Sequence, residues 1–137
     1  MPRRGETRET PRGDALKYLA KSEEFSATAV SALDVGSWNS AGLSAIHAGV
    51  SAADAALVAS AGVRSISQDH GGAVVLLESS VPEFGTRQKR QLGGLLKMKN
   101  EVAYEQRLLT EVEARQLVDH ATRLVVWARR VVADHVS

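Results

Sequence analysis

The sequence predicts an all-α fold, an antiparallel helical bundle of about five helices. Three observations carry this. Ala114, Leu117, Val118, Ala121, Leu124, Val125, Ala128, Val131 and Val132 keep an unbroken seven-residue apolar pattern near the C-terminus, the mark of a helix with one buried stripe. Leu43, Ile46, Val50, Ala53 and Leu57 step by threes and fours and so share one helix face. Gly36, Gly62 and the pair Pro82 and Gly85 then interrupt the chain at helix-length intervals, where such residues stop helices.

The length of 137 residues predicts one domain. A chain of this size buries roughly two thirds of the surface its unfolded form exposes. The first 13 residues, MPRRGETRETPRG, mix Arg, Glu, Thr, Gly and Pro with no apolar residue beyond Met1, and read as a flexible, solvated tail. They have no apolar core of the secretory kind. The bundle is then expected over residues 14–135. Asp14 is placed to cap the first helix, whose stripe reads Leu16, Leu19, Ala20, Ala27, Val30 and Leu33 and which ends at Gly36. The second helix runs from about Asn39 to Ala61, and its Ala, Ser and Gly positions allow a neighbouring helix to come close. A third opens near Ser67 or Asp69 and carries AVVLLE at 73–78. That stretch favours strand by propensity, but its helical neighbours argue for a short buried helix. The fourth starts after Thr86 and reaches about Gln106, with Gly93 and Gly94 marking a kink or a close helix contact. Thr110-x-x-Glu113 is a capping box that opens the fifth.

Composition sets further bounds. Hydrophobic residues make up 44% and charged residues 24%, with a net charge of +1, so the overall charge argues neither for nor against a nucleic acid partner. Cysteine is absent, which removes disulfides and thiolate metal sites and fits a reducing cytoplasm. No apolar run reaches the roughly 18 to 20 residues that span a membrane. No phosphate loop of P-loop or Rossmann spacing, no HExxH and no GxSxG occurs. The four histidines, His47, His70, His120 and His135, have no ligand-spaced partner, so neither a metal nor another cofactor is expected.

The basic residues are less even than the net charge. Arg87, Lys89, Arg90, Lys97 and Lys99 fall within a stretch that contains no acid. Arg90 and Lys97 are seven apart and share a face. Lys99 follows Leu95 by four and Leu92 by seven, which turns it toward the apolar side, either snorkelling or facing a polar cleft. Tyr104 stands five residues on, within reach of the same cleft. From spacing alone, a core-edge lysine stem and a packing tyrosine are the favoured reading over a polar cleft.

The order of these features resembles the HEPN domain family, small all-helical proteins found in bacterial toxin pairs and many ribonucleases. ALKYLAKSEEFSATAVSALDVGSW resembles the family's opening helix. NSAGLSAIHAGVSAADAALVASAGVRS resembles its small-residue second helix. SISQDHGGAVVLLE resembles the element that opens its third, with His70 at a histidine position. KMKNEVAYEQRLLTEVEARQLVDHATRLVVWARRV resembles its last two helices, where the family carries Arg-Asn-x-x-Ala-His or an Ala-Asp-Tyr version.

The resemblance implies that Lys99 takes the motif's arginine place, Asn100 its polar place and Tyr104 its histidine place, with Arg90, Lys97, Lys99 and His70 available to bind RNA or a nucleotide. It also implies a homodimer with the motif facing itself across the two-fold axis. Active members cut RNA there without metal, leaving a 2′,3′-cyclic phosphate. Lysine supplies a cation but not the bidentate fork of arginine. A phenol, with an ordinary pKa near 10, is a poor general base at neutral pH. A degenerate ribonuclease that still binds RNA or a nucleotide is therefore expected, in a bacterial toxin–antitoxin or defence-type setting. Its partner would be an antitoxin or a minimal nucleotidyltransferase. The alternatives are an active endoribonuclease toxin and a non-catalytic protein-interaction module. Some toxins paired with a nucleotidyltransferase carry a modified tyrosine two residues after the histidine; here that place is Gln106.

Overall fold

The computed structural model describes residues 7–66 and 70–136. In chain order these form β1 (Thr7–Glu9), a 3-10 turn (Arg12–Asp14), α1 (Ala15–Asp34), α2 (Trp38–Ala61), β2 (Val63–Ser65), α3 (His70–Ser80), α4 (Thr86–Tyr104) and α5 (Glu111–His135). The architecture is the all-α bundle read from the sequence, with one small antiparallel ribbon added at an end.

α2 is the central element, packed against α1, α4, α5 and α3. Ala41, Gly42, Ala45, Ala48, Gly49, Ala52, Ala55, Ala56 and Ala59 are all buried on it. The alanines favour helix and the two glycines disfavour it, and both, being small, let neighbours approach the helix axis. A Cβ added at Gly42 would lie 2.3 Å from Leu109 Cδ1, and one at Gly49 2.3 Å from Leu95 Cδ1. By length and composition α2 is apolar enough to cross a membrane, although no run of consecutive apolar residues in it is that long; 72% of the stretch is buried inside the bundle. It ends at Gly62, which is left-handed at φ 65°.

α1 departs from the expected stripe. Leu16 and Val30 are exposed, and the buried line is Ala15, Leu19, Ser22, Ala29 and Ala32. Against a helix surfaced with alanine and glycine, small side chains allow closer contact than leucine and valine do, and close contact prevails over side-chain size. The buried Ser22 hydroxyl donates to Leu19 O at 2.7 Å, so its burial leaves no polar group unpaired. Asp14 makes no side-chain cap; it pairs instead with Lys17 at 3.3 Å. The far end closes as a Schellman motif: Gly36 N–H donates to Leu33 O, Ser37 N–H donates to Ala32 O, and Gly36 takes φ 74°.

Of the 13 residues expected as a flexible tail, 1–6 lie outside the described residues, and 7–13 are tied to the bundle. Thr7, Arg8 and Glu9 pair with Ser65, Arg64 and Val63. Thr10 N–H donates to Gly62 O at 2.9 Å, and Arg12 Nη1 donates to Ala59 O and Ser60 O at 3.0 and 2.9 Å. A guanidinium over the last carbonyls of a helix satisfies orphan acceptors and opposes the negative end of the dipole. The segment is polar and carries no periodic signal because backbone and guanidinium hydrogen bonds, rather than apolar burial, hold it in place.

The remaining helices follow the sequence closely. AVVLLE is helical within α3, with Leu77 buried and Val75 exposed. α5 buries the whole seven-residue series, and Trp127 besides. The Trp127 indole donates to Glu83 O at 3.2 Å and meets Phe84 edge-on at 5.9 Å, which fixes the α3–α4 connection against α5.

Candidate functional site

α4 turns its basic residues outward. Arg90, Lys97 and Asn100 are exposed, Lys99 is half-buried, and Tyr104 in the last turn is 80% exposed. Lys97, Lys99 and Tyr104 have no hydrogen-bond or ion-pair partner among the described residues. Lys97, Lys99, Asn100 and Tyr104 all fall on the final turns of α4; Lys97, Asn100 and Tyr104 lie within about 60° of one another round the helix axis, whereas the half-buried Lys99 is turned about 100–160° away from them. Arg90 stands two turns back. His70 is the first residue of α3, and its side chain lies outside the described residues. The ion pair joining α3 to α4 is Lys89–Glu78 at 3.2 Å. Tyr104 is 15 residues beyond Lys89, about 22 Å along the helix, so this contact anchors α3 at the opposite end of α4 from Tyr104.

The corner between α4 and α5 is tightly built. α4 stops because Glu105 adopts an extended conformation. Leu109 then dives into the core beside Gly42, and its N–H donates to Asn39 Oδ1 at 2.9 Å. Thr110 and Glu113 complete the capping box, with Thr110 Oγ1 accepting from Glu113 N–H at 3.2 Å and Thr110 N–H donating to Glu113 Oε1 at 3.0 Å. Arg107, which sequence reasoning passed over, reaches Glu113 with two nitrogens and Glu101 at 3.3 Å. It ties the end of α4 to the start of α5. The hydrogen bond from Arg107 holds the Glu113 carboxyl down at about 2.

Leu108 and Val112, each 74% exposed, stand beside this corner with Tyr104. One turn back along α4, Gly94, Lys97, Met98, Glu113, Gln116 and His120 line an open cavity of about 230 Å³. A Cβ at Gly94 would sit 3.0 Å from the His120 ring, whereas Gly93 has open space. Of the two glycines, Gly94 is the close helix contact.

A second polar cluster lies on the other face of α2. The Asp54 carboxylate is mostly buried, with Arg64 Nε 4.0 Å away. The Arg64 guanidinium lies 5.6 Å over the Tyr18 ring. Burial pushes Asp54 up to about 6, against opposing pulls from Arg64 and Lys21. The sign follows from linkage. Between about pH 4 and pH 6 the unfolded chain has released this proton while the folded chain still holds it, so this group lowers stability as pH rises through the window. Asp54→Asn is expected to remove a pH dependence of about 3 kcal/mol. The check is the difference in unfolding free energy between wild type and variant at pH 4 and at pH 7; an equal difference at both would show that Asp54 titrates normally. His47, on the same helix, is exposed and stacks on Phe25 at 5.2 Å.

Among the described residues, no group of three or more His, Cys, Asp or Glu is arranged to hold a metal ion. Comparison with protein-family models finds no match for the chain, and comparison with curated proteins finds none either.

Proposed function

We propose that the chain is a HEPN-like domain that self-associates around the α4–α5 corner and takes RNA or a nucleotide in the seam, in a toxin–antitoxin or defence-type system, with little or no ribonuclease activity. The observation that carries this reading is the uncovered corner itself. Tyr104, Leu108 and Val112 are large apolar side chains left to solvent, beside the unpartnered Lys97 and Lys99. Such a cluster on a rigid frame is what an interface needs. A two-fold contact must be self-complementary, and this surface carries both signs, Lys97 and Lys99 against the exposed Glu105. Two copies joined here set the two Lys97 ammonium groups at one seam with Lys99 at its margins, a suitable cradle for phosphates. Efficient cleavage is not part of the proposal, because nothing described around Tyr104 orients its hydroxyl or accepts its proton.

Light scattering at micromolar concentration is expected to give about twice the chain mass of 14.7 kDa, and Leu108→Glu with Val112→Glu is expected to return the monomer. RNA binding is expected to weaken steeply with salt, and Lys97→Ala with Lys99→Ala to lower the salt slope by about one unit for each phosphate no longer neutralised. A monomeric wild type would remove the composite seam. Absence of RNA binding at low salt would leave the corner as a protein-interaction surface.

A further inference from the structure

A separate groove lies between the first half of α4 and the second half of α5. It encloses about 290 Å³ and is lined by Arg87, Gln91, Thr122, Arg123, Trp127 and Arg130, among others. Gln91 is 13 residues from Tyr104 on the same helix, about 20 Å away, so this groove is not the α4–α5 corner.

Two features point to a ligand. Arg87 and Arg130 are exposed and have no ion-pair partner among the described residues; Arg123 alone is paired, to Asp119 at 3.0 Å. Two of the three arginines are thus without a carboxylate partner among the described residues. The second feature is independent of charge. Gln91 is only 6% exposed, and its Oε1 is buried with no hydrogen-bond partner. A buried amide oxygen left unpaired is costly, and exchanging the amide's oxygen and nitrogen would leave a buried donor in the same position. The other nearby polar groups are already engaged: the Trp127 indole with Glu83 O, and the Thr122 hydroxyl with Asp119 O at 3.1 Å. Gln91 therefore lines the groove while its unpaired Oε1 is turned into the wall, closed even to water, and meets a ligand when the side chain turns outward toward the arginines.

We infer that this groove binds a small phosphate monoester that also carries hydroxyl groups. Arg87 and Arg130 take the phosphate, since the planar guanidinium fork matches its oxygens. A ligand hydroxyl pairs with Gln91 once its side chain turns outward, a turn favoured because it releases the amide oxygen from unpaired burial. The volume suits a ligand of sugar-phosphate size. Specificity then divides between charge, from the arginines, and the hydroxyl, from the glutamine.

The test uses the full chain with inorganic phosphate, ribose 5-phosphate and unphosphorylated ribose, each at about 10 mM, enough to detect millimolar binding, with amide chemical shifts as the readout. Ribose 5-phosphate is expected to shift α4 and α5 residues around Gln91 and to bind more tightly than phosphate; ribose alone is expected not to bind. Arg130→Gln is expected to weaken ribose 5-phosphate by about tenfold or more, the value of one charge-assisted hydrogen bond. Gln91→Met keeps the volume and is expected to bind ribose 5-phosphate no better than phosphate. No shift with any probe would overturn the proposal. So would binding that survives Arg87→Gln with Arg130→Gln, or a Gln91→Met variant that keeps the preference for the sugar; the last would mean that Gln91 stays turned into the wall.

Discussion

Gly49→Ala is expected to destabilise the fold by about 1–3 kcal/mol and Leu95→Ala by about 2–5 kcal/mol, while the double variant falls clearly short of the sum. A Cβ at position 49 would stand 2.3 Å from Leu95 Cδ1 and 3.7 Å from Leu124 Cδ1. Leu95 and Leu124 are both fully buried, so the first clash is relieved only by moving Leu95 into neighbours with no room to yield. Truncating Leu95 has the opposite defect and leaves a void over Gly49. An added methyl at 49 enters that void, so each change repairs part of the other's damage. Urea unfolding of the four proteins gives the coupling energy directly. Additive effects would mean that Leu95 repacks freely and that α2 and α4 are not locked at this point. Gly42 against Leu109 offers the same geometry, with Leu117 Cδ1 3.3 Å away as the second neighbour.

The close approach at Gly49 also explains which parts of the fold could be read from sequence. α5 was legible because its buried face is a complete seven-residue series of Ala, Leu and Val, every one of them buried, with Trp127 added outside it. α1 was misread because the same rule favours Leu16 and Val30, whereas its partner α2 presents alanine and glycine and accepts Ala15, Ala29 and Ala32 instead. Amphipathic patterning gives the face a helix prefers; the partner's surface decides which face is used. β1 and β2 had no signal at all, being three-residue strands held by backbone hydrogen bonds and by Arg12. In the candidate site, the placing of Lys97, Lys99, Asn100 and Tyr104 on one helix was legible, because that helix runs unbroken over Thr86–Tyr104. Arg107 was not, since its partners lie six residues to either side across a turn, and only the folded corner brings Glu101 and Glu113 to one guanidinium. Gln91 escaped notice for a similar reason: a glutamine in a helix is ordinary until the neighbouring helix buries it unpaired.

Replacing Lys99 with Arg and Tyr104 with His together is expected to convert the chain into a metal-independent ribonuclease, with a rate at least about 10²-fold above wild type. The two positions lie on the rigid end of α4, which Arg107 and the capping box fix against α5. Tyr104 is 80% exposed and makes no hydrogen bond among the described residues, so the fold should tolerate histidine there with little change in stability. Histidine changes charge near neutral pH and can both take and return a proton, while arginine offers a phosphate two parallel donors where lysine offers one. If the missing base is the main defect, RNA fragments ending in a 2′,3′-cyclic phosphate should appear in the presence of a chelator, only at concentrations where the protein is dimeric. Wild type should yield almost none. Two outcomes would count against this account, and they point in different directions. Robust cleavage by wild type that Tyr104→Phe abolishes would make the tyrosine a working catalytic group. A double variant that is dimeric, binds RNA and remains inert would mean that the α4–α5 corner does not hold the scissile phosphate between its two copies, whatever else it binds.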